Sequence, residues 1–366
     1  MAQTYPKALY IVRLNVENIS IVSSHLTWGF PAPSAFTGFM HNLQRKLNEV
    51  VEYQQIECCG IGIISHQFIP QVTKSSSHRY SPYQLNLARH PLKSDGSTPA
   101  MIEEGKGHME VSLVIGLAGE GLDQHLSAND QDLSLETQAL LEKLNQLVYG
   151  MRLAGGSIFP YKRMKPKLVN WLSSDTEHKT KQLCRYLLPG FALMHRHDVL
   201  TAHQAWLKQY AHYLDTQKSE PDLLDTLLDI QRLNFVSTAN NKTGSIDAIV
   251  GDWQIRPRPE HLQGWLVPIP IGYAVLTKIQ PKGVINGLRN DQYPATFVET
   301  LLSLAEWKSP HRIKNIVDIL WNYNTEPKNG VYELLQPFAP KLNLNLSSVD
   351  ELENQSFEFE TEEEEF

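Results

Sequence analysis

Two short stretches carry residue types on which chemistry can be built. The first is His195-Arg196-His197-Asp198. Two imidazoles and a carboxylate this close in sequence are the material of a metal site or a general acid–base pair. On a helix, however, positions two apart do not share a face, so the pattern reads better as a helix surface or an interface. The second stretch is "MRLAGGSIFPYKRMKPK", Met151 to Lys167. A strand leads into a Gly-Gly turn, Gly155-Gly156, and then into a loop carrying Tyr161, Lys162, Arg163 and Lys165. Paired glycines let a phosphate backbone approach main-chain N–H groups. Arg152 and the loop cations neutralise phosphates, and Tyr161 stacks on an unpaired base. The plainer reading is a solvated basic loop beside a tight turn.

The same basic-aromatic interleaving recurs twice. Lys74, His78, Arg79, Tyr80, Tyr83 and Arg89 form one group; Trp253, Arg256 and Arg258 form another. Three such patches point to single-stranded RNA. His66, His78, His90 and His108 are scattered around the same region. A His–Lys pair can cleave RNA by general acid–base catalysis, but no spacing singles one out. There is no phosphate-binding loop, no G-x-S-x-G elbow and no cysteine pair at zinc spacing. The sequence therefore assigns no catalytic residue, no metal and no cofactor.

The 366 residues are 42% hydrophobic and 20% charged, enough for a sizeable core. A net charge of −7 argues against a nucleic-acid partner until its distribution is considered. Asp350 to Phe366 holds nine acidic residues and no basic one. Setting those nine aside from the 40 acidic residues leaves 31 against 33 basic ones, a nearly neutral body. Three cysteines, two of them the neighbours Cys58 and Cys59, give no disulfide framework and fit a reducing compartment. The N-terminus shows no signal peptide, and no run approaches the roughly eighteen apolar residues of a membrane span. The expected location is the cytoplasm, with no membrane partner.

The elements that must position these residues follow from periodicity. "ALYIVRLNV" alternates as a strand. The prolines of "SHLTWGFPAP" forbid helix before about Pro33. Phe36, Phe39, Met40, Leu43 and Leu47 then recur at three and four, one stripe of a helix that Ser34 can cap. "IECCGIGIISHQF" and "HMEVSLVIGLAG" read as strands, "LSLETQALLEKLNQLVYGM" as a helix ending at Gly150, and "MRLAGGSIF" as a further strand. The order β-α-β-β-α-β predicts an α+β, ferredoxin-like (RRM-like) core. The expected division is a core over 1–165 with a basic arm at 70–105, a largely helical insertion or second lobe over 166–250, a return segment over 251–340 completing the core, and an acidic tail over 341–366 expected to be disordered. Two more helical stretches are expected between Tyr293 and Leu320.

"SHLTWGFPAPSAFTGFMHNLQRKL" resembles the segment after the first strand in the Cas-five superfamily of CRISPR proteins. Together with "PLKSDGSTPAMIEEGKGHMEVSL", "MRLAGGSI", "RYLLPGFAL", "GWLVPIPIGY" and "EWKSPHR", it is similar, more narrowly, to the subtype I-F family called Csy-two. The likeness extends to about Trp321; the acidic C-terminus has no counterpart in it. The resemblance implies a ferredoxin-like, non-catalytic subunit of an RNA-guided antiviral surveillance complex. It implies binding to the 5′ handle of the CRISPR RNA, a heterodimer with the large subunit, contact with the adjacent backbone subunit, and target DNA met only through the assembled complex. The alternative is an endoribonuclease that processes precursor CRISPR RNA, as some relatives of another subtype are; a third reading is a plain protein–protein scaffold.

Overall fold

The structure, a computed structural model, describes residues 4–74, 83–89, 91–127, 133–172, 175–213, 220–239, 251–288, 290–326 and 330–340. His78, Arg79, Tyr80, His90 and the acidic tail lie outside the described residues.

The first strand, β1 (Ala8–Ser20), is buried throughout Ala8–Val12 and alternates from Arg13 onward. Helix α1 (Pro33–Asn48) buries Phe36, Phe39, Met40, Leu43 and Leu47, the stripe that the three-four spacing predicts. Its N-cap is Ala32, without a side-chain hydrogen bond, so Ser34 is not the cap. Pro33 starts the helix instead: its fixed φ suits the first turn and it has no N–H to leave unpaired. The aromatic turn before it anchors the helix. Phe30 stacks on Phe36 at 5.7 Å between centroids and meets Phe68 and Trp307 edge-on at 5.9 and 4.9 Å.

Next come β2 (Glu57–Pro70), β3 (Val72–Lys74), β4 (Tyr83–Ala88), β5 (Ile102–Glu104) and β6 (Lys106–Ala118). The arm at 70–105, expected as an extended loop, contains a small sheet of order β3-β4-β5. Helix α2 (Leu135–Tyr149) is capped by Ser134, which accepts from the Thr137 N–H, and ends at Gly150. β7 (Arg152–Leu153), β8 (Gly156–Pro160), β9 (Lys167–Asn170), α3 (Thr176–Tyr186), β10 (Phe191–His195), α4 (His197–Tyr213) and α5 (Leu223–Gln231) follow. The chain then forms β11 (Phe235–Ala239), β12 (Gly251–Ile255), β13 (Leu266–Val275), β14 (Val298–Lys308), β15 (Asn322–Glu326) and β16 (Val331–Leu335). No helix among the described residues is long and apolar enough to cross a membrane.

This architecture corrects the expected fold class. The protein is mostly sheet, not a small ferredoxin-like core with a helical insertion. One large sheet runs β15-β16-β13-β14-β10-β2-β6-β1-β8-β7, with β9 also paired to β1. Two segments make the difference. Phe191–His195 falls in the stretch expected to be helical, yet Pro189 and Gly190 punctuate that stretch and the five residues after them form a strand that pairs with β2 at Phe191 and Ala192. Val298–Lys308, with three Leu, falls where a helical stretch is expected. It is a strand with a buried run from Ser303 to Glu306. Periodicity does not separate a buried strand from a buried helix, and neighbouring strands decided in favour of the sheet.

The chain divides into two compact units. Among the described residues, the first comprises those up to Met194 with Ile269–Leu302 and Trp307–Pro340; the second comprises those of His195–Pro268 and Ser303–Glu306. In the first, one face of β1 is covered by α2, where the Tyr10 hydroxyl donates to Asn145 Oδ1 at 2.7 Å. The opposite face carries Leu9, Ile11, Ile64 and Val114, packed against Trp171, Leu183 and Leu187 and against Ile316 to Leu320. Along β1 that second covering ends near Ile11. The same face continues as Arg13, Asn15 and Glu17, because alternate side chains point the same way.

The second unit is organised round a buried ionic cluster. His203 is fully buried, with Nε2 at 2.9 Å from Asp229 Oδ2 and Nδ1 at 3.0 Å from His261 Nε2. Arg256 donates to the same Asp229 oxygen at 2.5 Å and lies over the rings of Trp206 and Tyr210, at 5.2 and 5.3 Å.

Candidate nucleic-acid interface

The stretch that the sequence singles out folds as a hairpin followed by a loop at the sheet edge. β7 and β8 pair with Arg152 opposite Ser157 and Leu153 opposite Gly156. The two residues between them, Ala154 and Gly155, have φ of 50° and 78°, as a two-residue type I′ hairpin turn requires. The Ala154 carbonyl accepts from the Ser20 N–H at 2.9 Å, which ties the turn to the end of β1. The two glycines differ in role. A Cβ on Gly155 would meet nothing within 4 Å, whereas one on Gly156 would lie 2.5 Å from the Glu17 carbonyl oxygen. Gly155 is thus the open position, and Gly156 lets β8 approach β1.

β8 and β9 lie along the same edge of β1, β8 opposite Leu14–Glu17 and β9 opposite Ala8–Ile11. The loop between them leaves the edge and exposes Lys162, Arg163 and Lys165, none of which is ion-paired among the described residues. Tyr161 is half-buried, with the Arg13 guanidinium 4.5 Å over its ring, so one of its faces is occupied. Arg13 in turn donates to Glu110 Oε1 at 2.6 Å. Lys167 lies 3.9 Å over the Tyr186 ring, and the Tyr186 hydroxyl donates to the Lys165 carbonyl.

Beside this loop lies the uncovered part of the sheet face. Strand pairing sets Phe159 opposite Asn15, Asn15 opposite Glu110, and Glu110 opposite Gln67. The neighbouring row runs Arg152, Ser157, Glu17. Between β1, β6 and β2 there is a cleft of about 390 Å³ lined by Asn15, Glu17, Gln67, Ile69, His108 and Glu110. Phe159 and Ile69 stand 46% and 49% exposed on this face. The sequence alone does not single these residues out. The signal was present in the alternation of Arg13, Asn15 and Glu17 with Leu14 and Val16, and of His108, Glu110 and Ser112 with Met109 and Val111. Without the register between strands, it could not show that they meet.

The remaining sequence candidates are dispersed. Lys74 is exposed at the end of β3, opposite Tyr83 of β4. Arg258 is exposed in the second unit. Arg256, with a side chain only 8% exposed, is paired to Asp229 within that unit. In the His-Arg-His-Asp stretch, Arg196 pairs with Asp198 at 3.0 Å and with Glu306 at 2.5 Å. Burial pushes His195 down to about 4, and its Nε2 lies 3.0 Å from Ser303 Oγ. Among the described residues no three His, Cys, Asp or Glu side chains are grouped to hold a metal ion.

His66 and His108, on β2 and β6, have both ring nitrogens engaged. His66 meets the Pro189 carbonyl at 2.5 Å through Nδ1 and the fully buried Ser112 hydroxyl at 2.7 Å through Nε2. Burial holds it below the ordinary histidine range. His108 accepts from the Asn18 N–H at 3.3 Å, and its Nε2 meets the Gln71 amide at 2.8 Å. Burial pushes the Cys59 thiol up to about 12, so it is inert as a nucleophile at neutral pH.

Comparison with known proteins accords with the motifs. A family model described as CRISPR-associated protein (Cas_Csy2) matches residues 9–334. A curated protein named CRISPR-associated protein Csy2, from Pseudomonas aeruginosa (strain UCBPP-PA14), is 39% identical over 345 residues, covering 92% of this chain and 98% of that protein. The chain therefore belongs to the CRISPR-associated Csy2 family, the type I-F family that its sequence motifs resemble.

Proposed function

We propose that this protein is a non-catalytic RNA-binding subunit of a type I-F Csy surveillance complex in the cytoplasm. It holds the 5′ handle of the CRISPR RNA, forms a heterodimer with the large subunit, adjoins the first backbone subunit, and meets target DNA only through the assembled complex. The observation that carries this reading is the edge loop. Lys162, Arg163 and Lys165, with Arg152 on the adjoining hairpin, present four cations with no carboxylate partner among the described residues, beside an open polar sheet face. Such cations position a phosphate backbone, and the neighbouring face supplies contacts to bases.

The test is a filter-binding titration of labelled repeat RNA at two salt concentrations. Arg152→Ala combined with Lys162→Ala is expected to weaken binding by about 1–3 kcal/mol. The salt slope falls by roughly one unit per lost phosphate contact. Unchanged affinity and slope would remove this loop from the RNA path. The same incubation tests the other readings: cleaved repeat RNA would make the protein an endoribonuclease, and neither binding nor cleavage would make it a scaffold.

A further inference from the structure

The open cleft between β1, β6 and β2 has a chemistry opposite to that of the loop beside it. Its charged lining groups are carboxylates, Glu17 and Glu110. Phosphates are repelled from such a surface, so the RNA backbone does not cross it. What a carboxylate accepts is an N–H group. Glu110 is committed to Arg13, at 2.6 Å. Glu17 is exposed, and its side chain makes no hydrogen bond or ion pair to any described residue. The side-chain amides of Asn15 and Gln67 are likewise unbonded among the described residues.

We infer that this cleft reads the edge of one unpaired guanine, with Glu17 accepting from its N1–H and N2–H2 and Phe159 serving as the stacking platform for the base or its neighbour. Guanine is the RNA base with two adjacent N–H donors on its Watson–Crick edge, and they match the two oxygens of one carboxylate. Uracil offers a single N–H flanked by carbonyls, which a carboxylate repels. Adenine and cytosine offer an amino group next to a bare ring nitrogen. The strand lattice completes the site. Arg152, Ser157 and Glu17 lie in one row across β7, β8 and β1. Two interstrand steps separate Arg152 from Glu17 by about 10 Å, so a phosphate at the hairpin cation and its base over Glu17 belong to one stretch of single strand. A cleft of about 390 Å³ is within the ordinary range for a small planar ligand.

This inference rests on the RNA-binding reading above, and the test separates the two. Full-length protein is titrated with single-stranded RNA oligonucleotides of equal length, either carrying guanines or with every guanine replaced by uracil. The wild type is expected to prefer the guanine-bearing strand roughly ten-fold, the discrimination of one good bidentate base contact. Glu17→Gln abolishes that preference while the salt slope stays as in wild type, because no phosphate contact is lost. Phe159→Ala weakens both RNAs without restoring or removing the preference. Arg152→Ala with Lys162→Ala lowers affinity and slope for both strands but keeps the preference. Wild-type binding with no base preference, or a Glu17→Gln variant that retains the preference or binds every RNA more tightly, overturns the guanine site and leaves RNA binding intact. A wild type that binds neither RNA overturns both.

Discussion

Asp229 offers the sharpest test of how the second unit is held together. Its carboxylate is 5% exposed and faces two arginines of opposite character. Arg256 has a side chain 8% exposed and lies 2.5 Å away; Arg232 is 68% exposed at 3.7 Å. Breaking a buried pair by removing one charge typically costs about 3–5 kcal/mol, since the other charge is left without compensation. An exposed partner at the edge of ion-pair distance contributes at most about 1 kcal/mol. Asp229→Asn keeps the shape and removes the charge that Arg256 and His203 face. In a unit of this size each kcal/mol moves the midpoint by roughly 4–8 °C, so the variant is expected to lose at least about 10 °C in its first calorimetric transition. Arg232→Ala moves that transition by only a few degrees. The pH dependence supplies a second reading. Burial alone would raise the Asp229 carboxyl, but hydrogen bonds from His203 and Arg256 outweigh it and hold the group below its ordinary 3.8. A depressed carboxyl contributes stability that is present above its unfolded value and is lost as pH falls through the folded one. The gap between wild type and Asp229→Asn therefore persists from neutral pH down to about 4 and closes below it. Equal melting shifts for the two variants, or a gap that does not close in acid, would refute the argument.

Two further variants test the path from sequence to interface. Phe36→Ala removes a fully buried ring stacked on Phe30; it is expected to cost about 3–5 kcal/mol in chemical denaturation, and a variant that melts as wild type yet loses RNA would place the aromatic turn in the binding site. Gly156→Ala drives a Cβ to 2.5 Å from the Glu17 carbonyl oxygen and is expected to disrupt the β1–β8 pairing, whereas Gly155→Ala costs only the roughly 1–2 kcal/mol of a residue held at positive φ. Hydrogen exchange at the β8 amides separates them, and similar protection in both variants would count against a structural role for Gly156.

The sequence by itself determined the local elements whose periodicity is strong. The α1 stripe from Phe36 to Leu47 could form one buried face and little else, and Ser134 and Gly150 bracket α2 by their own cap chemistry. It also carried the family resemblance, because those motifs are contiguous runs of residues. The tertiary structure decided what depends on pairing between distant segments. "FALMH" and "TLLSLAEWK" are apolar runs compatible with either helix or strand, and they became strands because a sheet was there to accept their backbone groups. The cations of the edge loop were legible as a cluster, since they are adjacent in the chain. Whether a cation is free was not legible: Arg256 and Arg258 look alike in sequence, yet one is neutralised by Asp229, which lies 27 residues away, and the other is exposed. Likewise Glu17, Phe159, Gln67 and His108 each show only as the polar or aromatic half of a strand alternation. Strand register brought them to one face, because a two-residue period fixes which side each residue takes but says nothing about which strand lies next to it.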